Sequence, residues 1–236
     1  MAAARTVDDD RPVHSLHAYF LRPGDPAVPV LYEVDRIRDG RSFTTRRVVA
    51  IQHGRAIFNM SASFHVVEPG FEHLDAMPEV PPPDDLLTRE ERFSAAGIDD
   101  RYGPSALDVR YVTNDPFNRR EPLPPTQRVW FRANGSLPDG QVLHTCLLTY
   151  ASDMTLLDTT LLPHGSGAAD ATVMMASLDH AMWFHGPFRA DEWLLYDQHT
   201  PAASGARGLA TGRVFTHDGR LIASVVQEGL IRRVSS

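Results

Sequence analysis

Between residues 13 and 66 apolar and polar positions alternate with a period of two, and this predicts extended strands; Val28, Val30, Tyr32 and Val34 form the clearest run. Asp39-Gly40 gives a hairpin signal, and Val48 to Ile51 and Ala56 to Phe64 supply further strands, so the segment reads as an antiparallel sheet. From Glu68 to Thr126 the character changes. Pro78, Pro81, Pro82, Pro83, Pro104, Pro116, Pro122, Pro124 and Pro125 interrupt any long element, leaving a linker or crossover with one short helix from Leu86 to Ala96. A strand at Arg128 to Ala133 and a turn at Asn134-Gly135 then lead into the strongest helical pattern of the chain. Its apolar positions are Leu143, Cys146, Leu147, Tyr150, Met154, Leu157 and Leu161, at steps of three and four, and Pro163, His164 and Gly165 end it. Strands at Thr172 to Phe188, Trp193 to Tyr196, Gly208 to Thr216 and Leu221 to Arg232 complete the pattern.

The pattern is stated twice. His17-Ala18-Tyr19-Phe20, Asp39-Gly40, Arg47-Val48, Gly54-Arg55 and Ile57 have counterparts in His180-Ala181-Met182-Trp183-Phe184, Arg213-Val214, Asp218-Gly219-Arg220 and Ile222. A strand, a long helix and an antiparallel sheet curling round it is the layout of a hotdog unit. Two in tandem predict an α+β double hotdog, with residues 1–67 as the first unit, 68–126 as the crossover and 127–236 as the second. A site is expected where the halves meet.

Composition narrows the function. The 236 residues are 42% apolar, enough for a sizeable core, and no run approaches the roughly 18 apolar residues of a membrane span. Met1 to Arg5 leads straight into three aspartates rather than an apolar signal core, so a cytoplasmic location is expected. A net charge of −7 argues against nonspecific nucleic-acid binding. All 23 basic residues are arginine, which excludes Schiff-base chemistry through lysine. Arg36, Arg38, Arg41, Arg46 and Arg47 cluster, as a solvated strand face or as a site for a phosphate-bearing ligand. The single Cys146 reads as a structural thiol, and no Cys or His spacing matches a metal site.

Several stretches resemble the acyl-CoA thioesterase II family. They are Val13-His14-Ser15-Leu16-His17-Ala18-Tyr19-Phe20-Leu21-Arg22-Pro23-Gly24, Gly70-Phe71-Glu72-His73, Tyr150-Ala151-Ser152-Asp153, Pro163-His164-Gly165, Ser177 to His185, and Val226-Gln227-Glu228-Gly229, in the family's order. The resemblance implies a double hotdog that hydrolyses acyl-CoA to a fatty acid and coenzyme A without a metal or organic cofactor. It implies Asp153, Ser177 and Gln227 as the catalytic residues, all in the second unit.

Thioester hydrolysis needs a positioned water, a base for its proton and donors for the developing oxyanion. On a continuous helix Asp153 lies among the apolar positions, where desolvation would make it a stronger base; Ser152 or Asp153 as a helix cap is the structural alternative. Ser177 has no nucleophile elbow around it and reads, with Gln227, as a ligand of the attacking water. His180 with Asp179 is the competing pair, but adjacent residues on a strand point to opposite faces. A hotdog enoyl-thioester hydratase or dehydratase, or a non-catalytic acyl-CoA-binding protein, are the alternative functions.

Two departures from the family stand out. Gly186 occupies a position where relatives usually carry arginine. Only 14 residues precede Ser15, where relatives carry a longer stretch with a Gly-Gly turn. The first unit is therefore expected to lack its opening strand and nearly all of its helix, with Ala2 to Arg5 as the last turn. Its sheet face would expose Phe20, Val30 and Phe58, and a homo-oligomer could cover that face.

Overall fold

A computed structural model of the chain describes residues 1–97, 105–113, 119, 121–167 and 170–234. The first half folds as two hairpins, β1 (Val13–Phe20), β2 (Leu31–Asp39), β3 (Phe43–Gln52) and β4 (Arg55–His65), all antiparallel. His53 and Gly54 take positive φ in the turn between β3 and β4, the conformation a two-residue hairpin turn demands. After the crossover come a short helix α1 (Arg89–Ala96), then β5 (Leu107–Tyr111), β6 (Thr126–Ala133) and the principal helix α2 (Gln141–Asp153). The second half closes with β7 (Val173–Ser177), β8 (Asp179–Phe184), β9 (Leu194–Ser204), β10 (Arg207–Thr216) and β11 (Leu221–Arg233).

All eleven strands found among the described residues join one antiparallel sheet. Its order is β2-β3-β4-β1-β8-β11-β10-β9-β6-β5, with β7 also paired to β11. Read outward from the β1/β8 junction, the two sides have matching connectivity. At the junction His17 lies opposite Ala181 and Ala18 opposite His180, so the repeated dipeptides face each other. The repetition seen in the sequence is thus an approximate two-fold relation in space.

Three expectations are corrected. The stretch 68–126 is not solely linker, because β5 pairs with β6 at the edge of the second half's sheet; Pro104 and Pro116 lie outside the described residues. The long helix stops at Asp153, and after Met154 to Leu156 the chain continues as a 3-10 segment, Leu157–His164. The buried face of α2 is also rotated from the predicted one. It consists of His144, Thr145, Leu148, Ala151 and Ser152, whereas Tyr150 and Met154 are exposed. Leu143 and Cys146 turn instead toward the first half. There, with Val142, they line one wall of an apolar cavity of about 730 Å³ whose other wall is Leu16, Met60, Ala62 and Phe64. A helix with apolar residues on two sides carries two superposed periodicities, and the sequence pattern selected the wrong one.

Residues 1–66 contain a single 3-10 turn, Ala4–Thr6, and no α-helix. Arg46 fixes this turn to the sheet. Its guanidinium is buried and donates to Thr6 Oγ1 at 2.8 Å, to the Thr6 carbonyl at 2.9 Å and to Asp39 at 2.5 Å. The arginine cluster therefore divides, with Arg46 inside the fold and the exposed Arg47 paired with Asp35 at 2.6 Å. Phe20 is 38% exposed and rests on Phe58 at 5.5 Å between ring centres, while Val30 is half-buried.

The proline-rich crossover covers a second apolar cluster in the other half. Met77, Val80 and Leu86 pack on Trp130, Leu195, Phe215 and Leu221, and Trp130 Nε1 donates to the Pro81 carbonyl at 3.0 Å. Under the 3-10 segment lies a buried polar network. Gln127 donates to Gln198 at 3.0 Å, Thr159 donates to the same oxygen at 2.8 Å, and Arg119 reaches both Gln127 and Asp158.

Candidate active site

Asp153, Ser177 and Gln227 come from three elements and meet at one point. Asp153 is the last residue of α2, where its side chain keeps 38% of its surface in contact with solvent, more than a position within the apolar stripe would allow. Gln227 is drawn inward by the alternation of β11, which buries Ala223, Val225, Gln227 and Gly229 on one face and leaves Glu228 free to meet Arg207 at 2.9 Å. Ser177 ends β7 opposite Gly229.

The strand expected from Thr172 to Phe188 is interrupted at Leu178, and the interruption shapes the site. Asp179 Oδ1 accepts the backbone N–H of Glu228 at 2.7 Å, a donor that the ladder would otherwise use, and β8 resumes its pairing only from Val226 to Ala223. A carboxylate standing in for a strand carbonyl breaks the ladder without leaving a buried N–H unpaired.

The polar contacts converge on a single oxygen. Gln227 Nε2 donates to Asp153 Oδ1 at 2.5 Å and to Ser177 Oγ at 2.8 Å, and Ser177 Oγ donates to Asp153 Oδ1 at 3.2 Å. Asp153 Oδ2 makes no hydrogen bond within the described residues. The arrangement gives a partly exposed carboxylate with one oxygen anchored by two donors and one oxygen directed elsewhere.

Beneath it lies a residue that sequence reasoning set aside. His180 is buried, its Nδ1 is 4.0 Å from Asp153 Oδ1, and its Nε2 is 2.8 Å from Ser152 Oγ. Burial holds the imidazole below its ordinary pKa, against the opposing pull of the Asp153 carboxylate. Asp179, the carboxylate adjacent in sequence, is engaged with Glu228, so the one His180 faces comes from α2. Only spacing across elements could have revealed that. Tyr196 completes the floor: it is fully buried, its pKa is raised by desolvation, and its hydroxyl donates to the Ser152 carbonyl at 3.1 Å, capping the end of α2.

Two glycines let these layers approach. A Cβ on Gly229 would come within 2.4 Å of Leu157, and one on Gly212 within 2.3 Å of the Tyr196 ring. Gly229 follows Gln227 by two residues, so the contact that seats the 3-10 segment on β11 also sets the depth of the glutamine.

No group of three or more His, Cys, Asp or Glu that could hold a metal occurs among the described residues. Gly186 lies beside Arg220, whose Nη1 would be 3.4 Å from a Cβ built there and whose Nη2 donates to the Pro187 carbonyl at 2.6 Å. A cation thus stands next to this position although the residue itself is glycine.

One antiparallel sheet whose two sides repeat the same strand order, with a central helix packed against it, is a hotdog architecture. The chain superposes with a TM-score of 0.77 on a hotdog-fold protein from Alicyclobacillus acidocaldarius at 19% identity, covering all of this chain and 85% of the other, a likeness of fold alone. Residues 1–65 match the model of an acyl-CoA thioesterase N-terminal domain and residues 107–230 that of an acyl-CoA thioesterase. An acyl-CoA thioesterase II, TesB2, from Mycobacterium marinum is similar at 50% identity and a TM-score of 0.84 over 99% of this chain and 86% of that one. Mouse acyl-coenzyme A thioesterase 8 is 44% identical over 98% of this chain and 77% of its own length. The chain belongs to the acyl-CoA thioesterase family. No helix among the described residues is long and apolar enough to cross a membrane.

Proposed function

We propose that this protein hydrolyses acyl-CoA thioesters to a free fatty acid and coenzyme A, with Asp153, Ser177 and Gln227 directing the attacking water. The observation that carries the reading is the convergence of a carboxylate, a hydroxyl and an amide from α2, β7 and β11 on one point. Asp153 Oδ2 takes the proton as the water oxygen bonds to the thioester carbonyl carbon. The tetrahedral oxyanion then collapses, the C–S bond breaks, and the proton passes to the departing thiolate. Gln227 and Ser177 hold the carboxylate so that this lone pair faces the water, and the reaction calls on no cofactor.

Asp153→Asn should lower turnover about 10²- to 10⁴-fold with the fold retained, measured as thiol release from acyl-CoAs of increasing chain length. Undiminished release would remove Asp153 from the role of base. Hydration of enoyl-CoA in place of thiol release would assign the site to the hydratase class instead.

The same reading takes residues 1–67 as a supporting hotdog unit without a long helix of its own, 68–126 as the crossover, and 127–236 as the catalytic unit. It places the enzyme in the cytoplasm and allows for self-association. The outer edge of β2 supports the latter, since Leu31, Tyr32 and Ile37 are each more than half exposed along it. Light scattering across a dilution series tests it.

A further inference from the structure

Two side-chain atoms beside Asp153 are buried without a hydrogen-bond partner among the described residues: Gln227 Oε1 and His180 Nδ1. Buried polar atoms without partners are rare, and two belonging to residues that both face the same carboxylate call for one explanation. Which ring nitrogen carries the proton, and which way an amide points, follow from the network around them.

Consider the two tautomers of His180. With hydrogen on Nε2 the ring donates to Ser152 Oγ, and Nδ1 presents a bare lone pair toward a carboxylate 4.0 Å away. Nδ1 and Gln227 Oε1 would then be two buried acceptors beside the Asp153 carboxylate, neither with a proton from the described residues. With hydrogen on Nδ1 the ring supplies that proton. Ser152, whose hydroxyl donates to the Thr149 carbonyl at 2.9 Å, then gives up that bond and turns its hydrogen to Nε2, 2.8 Å away.

We propose that His180 is a positioning residue of the hydrolytic site, which as its Nδ1–H tautomer donates toward Gln227 Oε1 and so locks the Gln227 amide with its NH₂ group on Asp153 and Ser177. Were the amide reversed, its carbonyl oxygen would oppose the carboxylate and both donors to Asp153 Oδ1 and Ser177 Oγ would be lost. Ser152 is the outer member of the set, fixing the ring through Nε2. The Ser152-Asp153 and Asp179-His180 dipeptides thereby acquire distinct duties. Asp153 is the base, Ser152 and His180 orient its partner, and Asp179 breaks the ladder to make room.

This inference rests on the proposed thioesterase reading, and its test separates the two. In the folded wild-type protein, the ¹⁵N shifts of His180 near neutral pH should report hydrogen on Nδ1; a proton on Nε2 overturns the proposal without reference to activity. His180→Asn keeps an amide donor near the place of Nδ1, whereas His180→Gln carries its amide near the place of Nε2. His180→Gln should lower kcat on the order of 10²-fold with KM nearly unchanged, the loss expected when a site group shifts by about 1 Å, while His180→Asn recovers most of it. Equal losses in both variants, or none in either, overturn the positioning role even if Asp153→Asn remains inactive. A wild-type protein that releases no thiol from any acyl-CoA would instead defeat the thioesterase reading. Should the variants fail to fold, the tautomer of the wild-type ring still decides.

Discussion

The two halves share a strand order and differ in what covers their sheets. The second carries the 3-10 segment against β9 to β11 and the end of α2 bonded to β8 and β9 through Ser152, with β6 on the outer edge of β9. Among the described residues the first has one 3-10 turn, no strand on the outer edge of β2, and an apolar cavity between its sheet and α2. The proposed catalytic constellation follows this difference, since Asp153 stands at the end of α2 and residues 1–66 form no α-helix. A sheet can be repeated and still offer nothing to chemistry unless a second layer brings a side chain over it.

The largest effect that would break this contrast concerns a buried glutamine in each half. Gln52 is 5% exposed and bonds to Asp25 and the Val28 carbonyl, a structural knot, whereas Gln227 donates to Asp153 in the proposed site. Gln227→Leu should cost turnover on the order of 10²-fold while leaving the protein folded. Gln52→Leu should leave turnover unchanged and lower unfolding free energy by about 1–3 kcal/mol, the cost of stranding its partners. Paired thiol-release and denaturation curves give both numbers, and a reversed outcome would dissolve the division of labour.

A smaller contrast lies within α2. Leu148 is fully buried in the core, so Leu148→Ala should destabilise by about 2–5 kcal/mol, while Leu143→Ala, beside the existing cavity, should fall below that range. Equal losses in urea titrations would mean that the first half holds the helix as tightly as the second does.

How far the sequence carries follows from these same residues. The hairpin of β2 and β3 was legible because Asp39-Gly40 is a local signal between alternating runs. The face of α2 was not, since Leu143, Cys146 and Leu147 form an apolar row as good as the true one, whose buried members include the polar His144, Thr145 and Ser152. β9 runs on through Asp197 and Gln198, polar residues buried by the network around Gln127, and so shows no alternation beyond Tyr196. Asp153, Ser177 and Gln227 were reached through family resemblance, because nothing local links a helix end to two strands. His180 has Asp179 beside it in sequence, whereas in the fold it faces Ser152 and Asp153 of α2.

The smallest expected effect is on pH dependence. Burial lowers the pKa of His180, of His185 and, with His65 adding to it, of His14, from an ordinary value near 6.5. The unfolded chain therefore binds more protons than the folded one as pH falls through 6.5, and stability declines on the acid side of that value. Asp191, held at about 2 by Arg189, loses its contribution only at far lower pH, which keeps the two windows apart. Melting temperature should drop between pH 7 and 5, with a shallower slope in His180→Asn. A flat profile would show that these rings charge freely in the folded state.

The seam between β1 and β8 also sets the order in which the molecule can be assembled. β1 finds its second neighbour more than 150 residues downstream, and at about 5–20 residues per second that partner leaves the ribosome roughly ten to thirty seconds later. During this interval the first hairpins have a strand edge on each side and no docked second half. Nascent chains that meet each other at that stage could pair β1 with β1, so synthesis rate and chaperone supply, more than the stability of the finished sheet, should govern the yield of active enzyme.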